Sequence, residues 1–135
     1  EVAVDLDGTI AQGALAGNGW HDKPDLSQIG PPLPNARKAL QSLRKAGAII
    51  HIVTGRLDPG AWGEQQVALQ RQLITAWLRK YHIPYDTLGA VKPGKAFCIV
   101  DDRAIEFKGD WVAALHRIQR RRSEFDELCN GGSSP

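Results

Sequence analysis

Short apolar runs occur along the sequence, and each of them stops at a polar residue. The runs are residues 2–4, 48–53 and 96–100, and they are rich in β-branched side chains. Runs of this length are typical of strands that are covered on both faces of a sheet. We therefore predict three buried strands, each followed directly by a polar side chain.

Apolar residues recur at helical spacing between and after these runs. Asn35 is placed to cap a first helix that ends near Gly47, residues 64–82 continue a second helical pattern, and Asp110 is placed to cap a last helix. The residues expected to face inward on the last helix are Trp111, Ala114, Leu115 and Ile118. Because strands alternate with helices, the pattern predicts right-handed βαβ units around a parallel sheet, an α/β fold of the Rossmann-like kind.

Size and composition fit one globular domain. The chain has 135 residues, of which 42% are hydrophobic and 24% charged, and we expect a single domain over residues 1–129 with a polar, flexible tail at 130–135. The net charge of +2 is too small to imply a nucleic-acid partner by itself. Since no apolar run approaches the roughly 20 residues of a membrane span, and no signal-peptide pattern opens the chain, we expect a cytoplasmic protein without membrane contact. The two cysteines lack metal-ligand or redox spacing, and we expect Cys98 to be a buried thiol.

Polar residues with potential chemistry follow all three predicted strands. They are Asp5 and Asp7, Thr54 and Arg56, and Asp101 and Asp102. Ligands of parallel α/β sheets bind outside the carboxyl ends of the strands, so these side chains should converge. Two carboxylates as close as Asp5 and Asp7 repel each other, so that one of them must bind a cation, take up a proton, or both. A simple Asp-Gly turn is the alternative, but converging carboxylates favour an oxygen-rich Mg²⁺ site.

Four motifs in this order resemble those of the haloacid dehalogenase (HAD) superfamily. They are Asp5-Leu6-Asp7-Gly8-Thr9, Thr54-Gly55-Arg56, Lys92-Pro93 and Asp101-Asp102. Residues 92–105 are also similar to short bacterial and phage members of that superfamily. The resemblance implies a three-layer Rossmann-like core with helices on both faces of the parallel sheet. Since residues 11–34 are too few for a cap domain and the second insertion point carries none, we expect no separate cap.

The resemblance also implies roles for individual residues. Asp5 would be the nucleophile and Asp7 the general acid and base. Asp5, the backbone carbonyl of Asp7 and Asp101 would bind Mg²⁺, with Asp102 as the alternative ligand. Gly8, Thr9 and Gly55 would belong to the substrate-binding site, and Thr54 would donate to a phosphoryl oxygen. Lys92 would neutralise charge, with Lys95 as its rival. Arg56 would either contact the substrate or pair with a site carboxylate, and both alternatives stay open here.

The expected function is therefore that of a Mg²⁺-dependent phosphatase that hydrolyses phosphomonoesters through an aspartyl phosphate. An open site would suit a large substrate, such as a phosphorylated nucleic-acid end or protein, or a partner subunit of a homo-oligomer would cover it. With the loop of residues 11–34 as a partial lid, small phosphates such as nucleotides would also fit. A nucleotide or a nucleic-acid end is favoured over a sugar phosphate. A non-catalytic binding or regulatory module with this fold and a phosphotransferase are the alternatives. Trp20 and Trp62 follow motif-bearing strands, where a base or sugar could stack on them; packing is the other interpretation.

Overall fold

Strands and helices alternate along the chain in the computed structural model, which describes residues 1–13 and 25–131. In chain order the elements are β1 (Val2–Asp5), α1 (Ala36–Lys45), β2 (Ile50–Val53), α2 (Pro59–Trp62), α3 (Glu64–Lys80), β3 (Thr87–Gly89), β4 (Cys98–Val100) and α4 (Trp111–Gly131). A single 3₁₀ turn, Gly55–Leu57, connects β2 to α2. Trp20 and the end of the expected tail lie outside the described residues.

The described strands form one parallel sheet in the order β3-β2-β1-β4. Val4 in β1 lies beside Ile52 of β2 on one side and Val100 of β4 on the other. This arrangement confirms the predicted α/β class with a parallel, Rossmann-like sheet. The short strand β3 has no counterpart among the predicted strands, because Thr87–Gly89 contains no apolar run that could indicate it.

The core lies where β1 and β2 meet the turn after β1 and helix α3. Its fully buried apolar residues are Leu6, Ile10, Ile50, Ile52, Ile74 and Leu78. Trp77 of α3 is also buried, and its Nε1 donates to the carbonyl of Gly30 at 3.0 Å. Helix α3 is thereby fastened to the chain segment that precedes α1, and both flank the carboxyl end of the sheet.

The helix caps match the sequence at two of three predicted positions. Gly47 follows α1 with a φ of 91°, and Asp110 Oδ1 accepts hydrogen bonds from the backbone N–H groups of Val112 and Ala113. Asn35 was the wrong choice for a side-chain cap. It lies before α1 in the left-handed region, with a φ of 66°, and makes no capping hydrogen bond. A capping side chain reaches the first turn from extended backbone, which Asn35 lacks.

The prediction that β4 is buried is wrong. Cys98 is exposed, and Ile99 and Val100 are also exposed, because β4 is an edge strand of the described sheet.

Of the four α4 residues that were expected to face inward, Ala114 is buried as predicted. The prediction is wrong for Trp111, which is 72% exposed and packs on Phe107 with ring centroids 4.9 Å apart. It is also wrong for Leu115 and Ile118, which are exposed.

A helix of 21 residues such as α4 is about 30 Å long, whereas strands of three or four residues, the lengths of β1 to β4, span only about 10–13 Å. The sheet is therefore too short to cover the far end of α4. Trp111, Leu115 and Ile118 lie within about 10 Å at the start of the helix, so its length does not account for their exposure. They are exposed because no described helix or strand covers this part of α4. Within the described part of the chain, no helix combines the length and the apolar character needed to cross a membrane.

Candidate functional site

The polar residues that follow β1, β2 and β4 converge at the carboxyl edge of the sheet. Asp5 is the last residue of β1, Thr54 follows β2, and Asp101 follows β4. Since the three strands are parallel neighbours, their ends lie side by side. A cavity of about 220 Å³ opens above them, and its lining includes Asp5, Asp7, Thr54, Arg56, Trp62 and Arg103.

Three carboxyl groups form an acidic cluster in this site, namely those of Asp5, Asp101 and Asp102. One oxygen from each lies within 4.8 Å of the others. Burial, the negative charge of Asp101 and a hydrogen bond with Asp102 raise the pKa of Asp5 from 3.8 to about 7. Near neutral pH the cluster therefore takes up a proton or a cation, and its hard oxygen ligands suit a divalent metal ion.

The turn after β1 holds this cluster together. Gly8 has a φ of 81°, and a Cβ at this position would collide with the carboxylate of Asp102. The Thr9 hydroxyl donates to Asp5 Oδ2 at 3.3 Å and accepts from the backbone N–H of Asp102 at 3.2 Å. The conformation of Gly8 and the hydroxyl of Thr9 thus bring the loop after β4 against the end of β1.

Asp7 stands apart from the acidic cluster and is paired with Arg56. The Arg56 guanidinium donates from Nε to Asp7 Oδ2 at 2.7 Å and from Nη2 to Oδ1 at 2.9 Å, and both residues are buried. Of the two roles left open for Arg56, the structure shows the pairing with a site carboxylate. The remaining guanidinium donors reach the Gln70 side chain and the carbonyls of Leu26 and Gln28, at 3.0, 3.2 and 2.7 Å.

Gln70 belongs to the site, although no sequence motif indicated it. It is 1% exposed, accepts from Arg56 through Oε1, and donates from Nε2 to the carbonyl of Leu26 at 2.7 Å. A signal exists in the sequence, since Gln70 lies three residues after Val67 and four before Ile74 on the inner face of α3. A polar residue at such a position needs buried hydrogen-bond partners. Gln70 finds them in Arg56 and in the carbonyl of Leu26, and its two hydrogen bonds link these residues.

Thr54 lies at the base of the cavity, and it is 2% exposed. Its Oγ1 accepts from the backbone N–H of Arg56 at 3.2 Å, and its own N–H donates to the carbonyl of Gly89 at 2.9 Å. A hydroxyl that accepts through its oxygen keeps one hydrogen to donate. Thr54 can therefore offer that hydrogen to a ligand in the cavity.

The two candidate lysines are exposed in the structure. Neither Lys92 nor Lys95 forms a salt bridge with a carboxylate among the described residues, and neither lines the cavity. Both side chains are long and flexible, and no hydrogen bond within the described part of the chain fixes either of them. The assignment of Lys92, with Lys95 as the alternative, stays a prediction.

Comparison with known proteins adds evidence on the fold. No family model and no curated protein matches the chain. It is similar to the structure of a conserved protein from Bacteroides thetaiotaomicron, with 19% identity and a TM-score of 0.51 over 89% of each chain. It is also similar to the crystal structure of a structural-genomics target from Vibrio cholerae, with 26% identity and a TM-score of 0.50 over 89% of this chain and 96% of the other. The chain therefore shares its α/β fold with these proteins over nearly its whole length.

Proposed function

We propose that this protein is a Mg²⁺-dependent phosphatase of the HAD type that hydrolyses phosphomonoesters through an aspartyl phosphate at Asp5. The observation that carries the proposal is the environment of Asp5. Its carboxyl group lies at a strand end below a cavity, with two further carboxyl oxygens within 4.8 Å. Perturbed carboxyl groups in a cavity are typical of catalytic sites, and the four sequence motifs assign the same residue as nucleophile.

The donor set around Asp5 fits a magnesium ion. Asp5, Asp101 and Asp102 supply hard oxygen ligands within reach of one another. Both side-chain oxygens of Asp7 accept from Arg56, so Asp7 would bind the metal through its backbone carbonyl, as the resemblance implies. When bound, Mg²⁺ supplies positive charge that offsets the repulsion between the carboxylates and a phosphate.

In the first step, a carboxylate oxygen of Asp5 attacks the phosphorus of the monoester. The bond between that oxygen and phosphorus forms while the bond from phosphorus to the leaving oxygen breaks. Asp7 enters this step in its protonated form, passes its proton to the leaving oxygen, which departs as an alcohol, and is left as the carboxylate that pairs with Arg56. The Thr54 hydroxyl and the Gly55 amide donate hydrogen bonds to the phosphoryl oxygens and hold the group in line with Asp5.

In the second step, water attacks the same phosphorus and releases Asp5. Asp7 takes a proton from the water as the new oxygen–phosphorus bond forms and the bond to Asp5 breaks. The bidentate contact with Arg56 orients the Asp7 carboxylate for this transfer, and each of its oxygens keeps a lone pair to receive the proton. Arg56 is accordingly a positioning residue.

The test measures hydrolysis of an aryl phosphate with and without Mg²⁺ for the native chain and for Asp5→Asn. We expect Mg²⁺-dependent turnover that Asp5→Asn abolishes. Asp110→Asn is a matched control, because Asp110 caps α4 outside the site and Asn caps a helix equally well. Equal turnover by the native chain and Asp5→Asn would refute the nucleophile.

A second measurement addresses the covalent intermediate. Asp7→Asn removes the group that activates water, so the aspartyl phosphate should accumulate during a single turnover. Mass spectrometry after an acid quench should then find the phosphoryl group on the peptide that contains Asp5. A non-catalytic binding module would give no such peptide with any phosphomonoester.

A further inference from the structure

Apolar side chains form part of the lining of the cavity above Asp5. Leu26, Ala61 and Trp62 line the cavity together with the acidic groups of Asp5 and Asp7 and with Thr54. The carbonyl oxygen of Leu26 accepts hydrogen bonds from Arg56 and Gln70, which hold its segment in place. The cavity thus combines polar groups that suit a phosphoryl group with side chains that suit an apolar group.

The Trp62 side chain is fixed against this cavity. Its Nε1 donates to the carbonyl of Gly55 at 2.9 Å, which anchors the indole to the turn that carries Thr54 and Arg56. The short helix α2 that ends at Trp62 is capped by Asp58, whose Oδ1 accepts from the N–H of Gly60 at 2.9 Å. An indole held in this way loses little conformational entropy when a ligand packs on it.

The size of the cavity limits what enters it. A volume of about 220 Å³ is below the roughly 300–1,000 Å³ of pockets that enclose drug-sized ligands. A phosphoryl group together with a single ring is a reasonable occupant, whereas a bulky branched leaving group would have to remain outside. The apolar side chains of the lining favour an apolar leaving group, because they offer a sugar few polar partners.

We propose that the substrate is a small phosphomonoester whose leaving group carries a flat, apolar ring that packs against Trp62. A small aromatic alcohol that is phosphorylated on its hydroxyl belongs to this class. The inference rests on the proposed function, since the phosphoryl group must lie at Asp5 for the ring to reach Trp62. Trp62 is then a specificity-determining residue that contacts the leaving group and takes no part in bond breaking.

The test compares three phosphates with similar primary-alcohol leaving groups: benzyl phosphate, cyclohexylmethyl phosphate and glycerol phosphate. For the native chain we expect kcat/KM to fall in that order, with benzyl phosphate about tenfold above glycerol phosphate, the size of one aromatic stacking contact. Trp62→Ala should bring the benzyl-to-glycerol ratio close to one. Trp62→Phe keeps a flat ring without the hydrogen bond to Gly55 and should retain most of the ratio.

Trp111→Ala is the matched control, because Trp111 is an exposed tryptophan of α4 that does not line the cavity. It should leave the ratio at its native value. If all three phosphates are hydrolysed through Asp5 but the ratio is near one, or unaffected by Trp62→Ala, the inference fails and the phosphatase proposal stands. If none of them is hydrolysed, the phosphatase proposal fails and the inference with it.

Discussion

We expect the buried ion pair between Arg56 and Asp7 to make a large contribution to the free energy of unfolding, and Arg56→Met tests this. Methionine replaces the apolar stem of arginine, but it is shorter, ending near the position of Nε, and it donates no hydrogen bond. In the native protein the guanidinium makes five hydrogen bonds of 2.7–3.2 Å, two of them to the Asp7 carboxylate. The substitution removes all of them while the carboxylate stays buried.

The size of the stability loss in Arg56→Met follows from the burial of both Arg56 and Asp7. Arg56 is 4% exposed and Asp7 is 6% exposed, so water cannot replace the lost partner without structural change. Removing one member of such a buried pair costs about 3–5 kcal/mol. Against a total stability of about 5–15 kcal/mol this is a large loss. For a chain of this length, it corresponds to a fall in Tm of roughly 10–15 °C.

Thermal and urea denaturation followed by circular dichroism measure this loss. Arg44→Met is the matched control, because Arg44 pairs with Asp86 at 3.0 Å while both side chains are about 40% exposed, and it should cost less than about 1 kcal/mol. Adding Asp7→Asn to Arg56→Met removes the unpaired charge and should recover about 1–3 kcal/mol. If Arg56→Met were as stable as Arg44→Met, or if Asp7→Asn gave no recovery, the buried charge would not be the cause.

Three further predictions concern the acidic cluster. Gly8→Ala should destabilise the protein by clearly more than Gly47→Ala, for which we expect a loss of roughly 1 kcal/mol. Both glycines have a positive φ, but only a Cβ at Gly8 would collide with Asp102. Urea titration of the two variants measures the difference. Asp5, with its pKa raised from 3.8 to about 7, stabilises the metal-free fold fully below about pH 4, and this contribution is lost as the pH rises through 7. Because Mg²⁺ replaces the bound proton, it should raise Tm more near pH 8 than near pH 6, and the dependence should vanish in Asp5→Asn. Asp101→Asn should reduce this Mg²⁺-induced rise more than Asp102→Asn, and the opposite order would make Asp102 the closer ligand.

The position of the candidate site could be predicted because strand ends are local in sequence. An apolar run that stops at a carboxylate indicates both the strand and the side chain at its end, as at Asp5. Parallel pairing then brings the ends of β1, β2 and β4 together without any knowledge of loops. The same reasoning could not choose between the two roles of Arg56, because its distance from Asp7 depends on how the turns after β1 and β2 close.

Features that depend on contacts between distant segments could not be predicted from the sequence. The burial of Gln70 depends on the Leu26 carbonyl, 44 residues away in sequence. The apolar spacing of α4 is that of a packed helix, yet Trp111 and Leu115 are exposed because no described helix or strand covers them. Periodicity indicates which face of a helix is apolar, and tertiary contacts decide how much of that face is covered.

The two aspartates of one turn differ in how the fold balances their charge. Asp7 has a counterion supplied by the fold, because Arg56 pairs with its carboxylate in the absence of any ligand. Asp5 lies two residues away, and its neighbours in the acidic cluster are the carboxyl groups of Asp101 and Asp102. These like charges and the burial of Asp5 make its ionised form costly. A proton or a bound cation relieves this repulsion, which favours a metal-dependent role for the cluster over an ordinary Asp-Gly turn.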